Sequence, residues 1–500
     1  MPGGHNSNQS VSRSSMAQYM YEPLSAQDHS FLVLETPNLH MHVSSTQIFE
    51  LGPLATENGG VDFARIKRFV ASVLHRIPRY RQKLMTVPLD GTPVWVDDAD
   101  FQLDYHVRHT SLPRPGDESQ LRALSARVMA QPLDRERPLW EIWVAEGLSG
   151  GRFALISKIH HCMIDGSSGV DISQILQSRT PDRRIGKTPR FIPRPAPERA
   201  ELVALALRHR LALPLRALRG IREFRRESQD FWGEIRMRTR ILARLFADQY
   251  SLASESPVNG LVGPHRAFGW IDMDLGELKA LRRAYDCKLN DLVLTIVTEA
   301  FRNYLRRRGV RPEDLEFRIQ APVSVRPEES QGKLGNHVSG WLVRLPLEEE
   351  NPHDQLAAIR ETTRELKQSH QALGVEMMMK AIGEMPTGLL SLGVQAASGA
   401  VNSIVTNVPG PQFPLYLQGA RMLALYPQVP LLPNIGIGIA LISYDGKVCW
   451  GFNADPQLVP DLESFLAAVQ TSLERVAAAA APDEFSEGAA HPSQAEQAKA

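Results

Sequence analysis

The sequence predicts an α/β protein, on three observations. Apolar residues recur at helical spacing in several long stretches, apolar runs of strand length lie between them, and the two patterns alternate along most of the chain. At 500 residues the chain is also longer than one hydrophobic core usually supports. Two units, or a repeated pair sharing a cleft, are therefore expected.

Residues 1–18 are rich in Ser, Asn and Gly and lack the apolar core of a signal peptide, so they read as a disordered N-terminus. A first unit spans 19–180. In it, Phe63, Ile66, Phe69, Val70, Val73, Leu74 and Ile77 share one helical face, and Val94 to Tyr105 reads as mostly extended. Glu118 to Met129 forms a second amphipathic helix. Two apolar runs, Leu139 to Glu146 and Arg152 to Ile159, flank a Gly-Leu-Ser-Gly-Gly turn and predict a hairpin.

Residues 181–266 form a linker and a basic amphipathic region: five prolines between Thr180 and Glu198 break regular structure, and Arg199 to Arg244 carry twelve arginines and no lysine. A second α/β unit spans 267–476. Its elements are helices near Leu275 to Tyr285 and Asp291 to Arg307, strands near Phe317 to Val325 and Trp341 to Leu345, and helices over His353 to His370 and Val375 to Leu392. Strand-like runs follow near Ser403, Ile435 and Val448. The polar tail 477–500 offers too little apolar material to pack.

Hydrophobic residues make up 43% of the chain, charged residues 22%, and the formal net charge is zero, so global charge names no partner. The three cysteines, Cys162, Cys287 and Cys449, are too scattered for a disulfide framework or a zinc site and fit a reducing, cytoplasmic setting. No run of about 18 apolar residues occurs, so any membrane contact is expected to be peripheral. A phosphate loop, a Gly-x-Ser-x-Gly elbow and paired metal-ligand spacings are all absent from the sequence, which argues against a metal, nucleotide hydrolysis or nucleic-acid binding.

The most informative stretch is His160-His161-Cys162-Met163-Ile164-Asp165-Gly166, at the end of the second apolar run. Adjacent histidines supply a base near neutral pKa, an aspartate can organise the loop, and a glycine permits a tight turn. Alternation along the strand places Phe153, Leu155, Ser157, Ile159 and His161 on one face, and Ala154, Ile156, Lys158 and His160 on the other. One histidine is then the base and its neighbour a support, and periodicity does not choose between them. A purely structural alternative makes both of them strand-end residues, with Asp165 capping a helix near Ser167 and Gly166 marking the turn.

Together with Pro23-Leu24-Ser25-Ala26-Gln27-Asp28, Met41-His42, Pro138-Leu139-Trp140-Glu141, Asn290-Asp291, Pro322 to Arg326, Gly335-Asn336 and Asn407 to Pro411, this stretch resembles the bacterial wax ester synthase/diacylglycerol acyltransferase family. The motifs run in family order over most of the chain. The resemblance implies two chloramphenicol acetyltransferase-like subdomains, with mixed sheets flanked by helices and an active-site tunnel between them. It implies an O-acyltransferase that moves a long-chain fatty acyl group from acyl-CoA, a co-substrate, to diacylglycerol or a long-chain alcohol, with no cofactor.

By the same resemblance His161 is the general base, His160 its support, Asp165 an organiser and Gly166 the turn. Asn290, Asp291 and Arg326 are supporting candidates. Asn290 has a competing structural role as N-cap of the helix after it, and Arg326 either pairs with Asp165 or is solvated. Cys162 is the rival nucleophile, but an extended backbone would turn it away from His161, and the resembled family varies at this position. Direct transfer is therefore expected.

Trp140 reads as a core anchor. Residues 199–244, arginines beside an apolar stripe, suit an anionic membrane or lipid-inclusion surface, placing the protein peripherally at the inner face of the membrane. Two other readings compete: a condensation-type catalyst acting on carrier-bound acyl groups, and a non-catalytic lipid-droplet binding protein.

Overall fold

A computed structural model describes residues 21–480 apart from 89, 90, 92, 164–174, 199, 205, 206, 208–252, 325–337, 369–398 and 400. Two mixed six-stranded sheets organise the described residues. The first has spatial order β12-β13-β2-β7-β6-β5, with β2 His42–Glu50, β5 Val107–Ser111, β6 Trp140–Leu148, β7 Arg152–His160, β12 Tyr416–Leu417 and β13 Ala420–Gln428. The second has order β10-β9-β11-β14-β15-β8, with β8 Ala267–Asp274, β9 Phe317–Ser324, β10 Val338–Leu345, β11 Ser403–Val408, β14 Ile437–Tyr444 and β15 Lys447–Ala454. A small sheet joins β1 Glu22–Pro23, β4 Pro93–Asp97 and β3 Gln82–Thr86.

The predicted hairpin is present: β6 and β7 pair antiparallel, and Gly147, Gly150 and Gly151 take the positive φ angles that the connection needs. Val94 to Tyr105 is less extended than expected. The strand ends at Asp97, and a short helix α3 (Leu103–His106) precedes β5 because Arg108 and His106 fold back to main-chain carbonyls of Tyr105 and Trp140.

Helices cover the sheets. α1 (Ala26–Leu34) is capped by Ser25, α2 (Phe63–Val73) by Asp62, and α4 (Glu118–Ala130) by a reciprocal box in which Asp117 and Gln120 each accept from the other's main chain. In the second half, α5 (Leu275–Ala284), α6 (Leu289–Arg307), α7 (Pro352–Gln368) and α8 (Leu462–Ala480) pack on the second sheet. The helix expected from Asp291 begins two residues earlier. Lys288 holds the cap position and Asp291 accepts from its main-chain N–H at 3.3 Å, so Asn290 is not the N-cap. The helix expected over Val375 to Leu392 lies outside the described residues.

The two sheets meet through one apolar cluster that takes Ala154 and Ile156 from β7, Leu121 and Leu124 from α4, Phe268 and Trp270 from β8, and Tyr426 from β13. Trp270 stacks on Tyr426 at 4.7 Å, and Arg122 donates to the Trp270 carbonyl at 2.8 Å. At this seam a β-carbon on Gly451 would stand 1.9 Å from the Pro427 carbonyl oxygen, so only glycine lets β15 approach β13. β13, placed by sequence in the second unit, pairs with β2 of the first sheet, and β12 pairs with β13. The chain thus crosses between sheets after β11 and returns at β14.

Candidate active site

Strand β7 is buried along nearly its whole length, with β2 on one side and β6 on the other. Pairing with β2 sets His160 opposite His42 and Lys158 opposite Ser44. As alternation predicts, the odd residues Phe153, Leu155 and Ile159 enter one apolar cluster, while Ala154 and Ile156 enter the seam between the sheets.

The strand stops at His160. His161 to Met163 form a single 3₁₀ turn, and the His161 N–H donates to the Met41 carbonyl at 2.7 Å. The half-buried His161 ring stacks on Phe31 of α1, with centroids 3.9 Å apart and planes 26° from parallel. Among the described residues no other residue partners its Nδ1. Nδ1 is buried, which leaves Nε2 as the nitrogen for a substrate proton. Burial, with His160 alongside, pushes the imidazole down to about 4, so at neutral pH His161 is an uncharged proton acceptor.

His160 is buried. Its Nδ1 accepts from the Cys162 main-chain N–H at 3.1 Å and also touches Cys162 Sγ at 2.9 Å. The turn, not an extended backbone, decides where Cys162 points: the thiol meets His160 rather than His161. Burial pushes that thiol well above its ordinary value, aided by Asp28 and Glu35, so it stays protonated and unreactive.

Glu35, the residue that ends α1, reaches under both histidine-bearing strands. Its Oε1 accepts from the Met41 N–H at 2.8 Å and lies 3.2 Å from His160 Nε2 and 3.7 Å from His42 Nε2. Arg135 Nη2 donates to its Oε2 at 2.6 Å. The His160 contact is close but poorly aligned for a regular hydrogen bond. Burial alone would raise the carboxyl, but His160 and Arg135 outweigh it and hold Glu35 well below the usual carboxylate range.

Burial lowers His42 well below 6.5 and lowers His40, which stacks on His42 at 5.2 Å. On the same strand face the buried Lys158 donates to the Val128 and Gln131 carbonyls at 2.9 and 3.0 Å, tying β7 to the end of α4. Burial brings its ammonium down to about 8 against the pull of Glu141, 3.6 Å away. Sequence reasoning assigned no role to Glu35, Lys158 or Phe31. The available signals were a lysine inside an apolar strand run and a glutamate just after an apolar helix.

Of the residues named from sequence, Asp165, Gly166 and Arg326 lie outside the described residues, as do Gly335 and Asn336. Asn290 is exposed on the first turn of α6, while Asp291 is buried and bonds Lys288 and Thr363, not the histidines. Trp140 is a core anchor as expected: it is 1% exposed, donates to the Tyr80 carbonyl at 2.8 Å and stacks on His106. Asn407 and Val408 end β11, and Gly410 donates to Ser443 Oγ at 3.0 Å. No group of His, Cys, Asp or Glu suited to holding a metal occurs among the described residues.

Comparison with known proteins matches two family models, the wax ester synthase/diacylglycerol acyltransferase catalytic domain over residues 24–293 and its C-terminal domain over 334–477. The chain is 30% identical over 480 residues, 91% of its own length and 96% of the relative's, to a Mycobacterium tuberculosis (strain ATCC 25618 / H37Rv) protein named "probable diacyglycerol O-acyltransferase tgs1". Its fold is similar to that of a wax ester synthase/diacylglycerol acyltransferase from Marinobacter aquaeolei VT8, with TM-score 0.66, 24% identity and coverage of 92% of this chain and 99% of that one. It also matches the first condensation domain of the CDA synthetase, with TM-score 0.56, 17% identity and coverage of 92% and 97%. The two family matches and the extent of the mycobacterial likeness show that this chain belongs to the wax ester synthase/diacylglycerol acyltransferase family.

Proposed function

We propose that this acyltransferase moves a long-chain fatty acyl group from acyl-CoA to the hydroxyl of diacylglycerol, giving triacylglycerol, or of a long-chain alcohol, giving a wax ester, with His161 as general base. The observation that carries the proposal is a histidine held neutral by burial and clamped by Phe31 at the end of a buried strand. The acceptor oxygen attacks the thioester carbon as Nε2 takes the hydroxyl proton. The tetrahedral adduct then collapses, the C–S bond breaks, and the same proton passes to the departing CoA sulfur. Protons and charge balance without an acyl-enzyme, in keeping with a Cys162 thiol held protonated.

In this reading Asp165, Gly166 and Arg326 serve the histidines as organiser, turn residue and support, while Asp291, bonded to Lys288 and Thr363, acts only by fixing the start of α6. Donor and acceptor enter a tunnel between the two units from opposite ends. The protein works at a lipid surface, with arginines of the 199–244 stretch against anionic headgroups. No helix of the described residues is long and apolar enough to cross a membrane, which is compatible with a peripheral position.

The test is CoA release from palmitoyl-CoA with diacylglycerol or hexadecanol as acceptor, with the lipid product identified. The proposal expects acceptor-dependent release and an ester product with at least one of the two. Release with neither, alongside turnover of a carrier-bound acyl donor, would instead support a condensation-type catalyst.

A further inference from the structure

The buried cluster beneath the catalytic turn holds a carboxylate that the reaction above does not use. His160 Nδ1 is the acceptor for the Cys162 N–H at 3.1 Å, so the His160 ring proton sits on Nε2, where it faces Glu35 Oε1 at 3.2 Å. The Cys162 N–H belongs to the turn that carries His161. Glu35 also closes the helix that bears Phe31, the ring on which His161 stacks. One carboxylate therefore touches both supports of the base: the imidazole that anchors its turn and the helix that clamps its ring.

Glu35 is itself held at both oxygens. The Met41 N–H and Arg135 hold its two oxygens, and Arg135 Nη2 also donates to the Leu32 carbonyl in the last turn of α1. Met41 in turn accepts the His161 N–H through its carbonyl, so the loop between α1 and β2 is tied to the base at one residue and to Glu35 at the same residue.

We propose that Glu35 is a positioning residue for the base, a buried carboxylate that selects the Nε2–H tautomer of His160 and thereby holds the turn on which His161 is presented. With the other tautomer, His160 Nδ1–H would face the Cys162 N–H, donor against donor, and the turn would lose its anchor. Glutamine at position 35 keeps the shape but has one oxygen. That oxygen cannot serve the Met41 N–H, the His160 N–H and the Arg135 guanidinium together, and an amide NH₂ against His160 favours the wrong tautomer. The inference rests on His161 being the base, and its readouts separate the two claims.

The experiment compares wild type, Glu35→Gln and Glu35→Asp by steady-state CoA release, thermal melting and ring ¹⁵N spectra of labelled histidine, with His160 assigned through His160→Gln. In wild type His160 is expected as a single Nε2–H tautomer. Glu35→Gln is expected to lose that single tautomer and to lower kcat about 10–100-fold, the range typical of lost outer-shell orientation, with KM within about twofold. Glu35→Asp, which keeps the charge, should recover several-fold over Gln. The inference is overturned if wild-type His160 carries its proton on Nδ1, if Glu35→Gln keeps both the tautomer and kcat, or if kcat falls with the tautomer unchanged. Should Glu35→Gln fail to fold, the wild-type tautomer and the kcat of Glu35→Asp still decide it. The tautomer is read without turnover, so a different base would abolish the His161 claim while leaving the Glu35–His160 result standing.

Discussion

Replacing Phe31 with alanine uncovers the face of His161 that the phenyl ring now shields at a centroid distance of 3.9 Å. Burial is the main cause that brings this imidazole from its ordinary 6.5 down to about 4, with the neighbouring His160 acting in the same direction. The sign is fixed by the role: a base works when neutral, so activity is available above its pKa and fades below it. At pH 5.5 an unperturbed histidine is only about one-tenth neutral, whereas one with a pKa of about 4 is more than about nine-tenths neutral. Wild type should therefore keep most of its kcat/KM at pH 5.5.

Rehydrating the ring in Phe31→Ala should move the acid midpoint upward by about one unit, and so reduce the relative rate at pH 5 more than at pH 7.5. The assay is the pH profile of kcat/KM for CoA release between pH 4.5 and 8, with enzyme integrity checked at each pH by return to pH 7.5. A wild-type midpoint near 6.5, or a midpoint that Phe31→Ala does not move, would refute the reasoning.

Cys162→Ala should retain activity within about threefold, since the mutation keeps the main-chain N–H that anchors the turn; a loss matching that of His161→Ala would restore the thiol as nucleophile. Gly451→Ala should destabilise by more than about 2 kcal/mol in denaturant melts, because its β-carbon must push against the Pro427 carbonyl where the two sheets meet. Acidification from pH 7 should weaken the fold, because unfolded histidines at positions 40, 42 and 161 take up protons that the folded ones resist. The stability is full above about 6.5 and is lost toward pH 4, with His161 alone contributing on the order of 3 kcal/mol, readable as a falling denaturant midpoint.

The β6–β7 hairpin and the alternation of its apolar residues were legible because glycines mark the turn and a buried strand shows its pattern directly, whereas the strand's end at His160, which puts His161 on a turn, was not. Strand β2 was not, although it lies at the centre of the first sheet. Its Ser45, Thr46 and Gln47 pack there by bonding Ser157, Ser125 and Gln177, so satisfied polar groups hide the hydrophobic pattern. The return of Ala420–Gln428 to β2 joins residues nearly four hundred positions apart, which local periodicity does not encode.

At the site, sequence pointed to His160 and His161 as a local string. Glu35 and Phe31 reach them only through the fold of α1. The helix cap fell at Lys288 instead of Asn290 because Asp291 closes a box from inside the first turn, which a search for a side-chain cap alone overlooks.

The central claim is that His161 is the base for direct transfer to an alcohol. It is tested most directly by acceptor-dependent CoA release for wild type and His161→Ala at pH 7.5, with thermal melts run alongside. The account predicts a loss of kcat/KM of about 10²- to 10⁴-fold, the usual worth of a general base, with the melting temperature essentially unchanged. A folded His161→Ala within about threefold of wild type would contradict it.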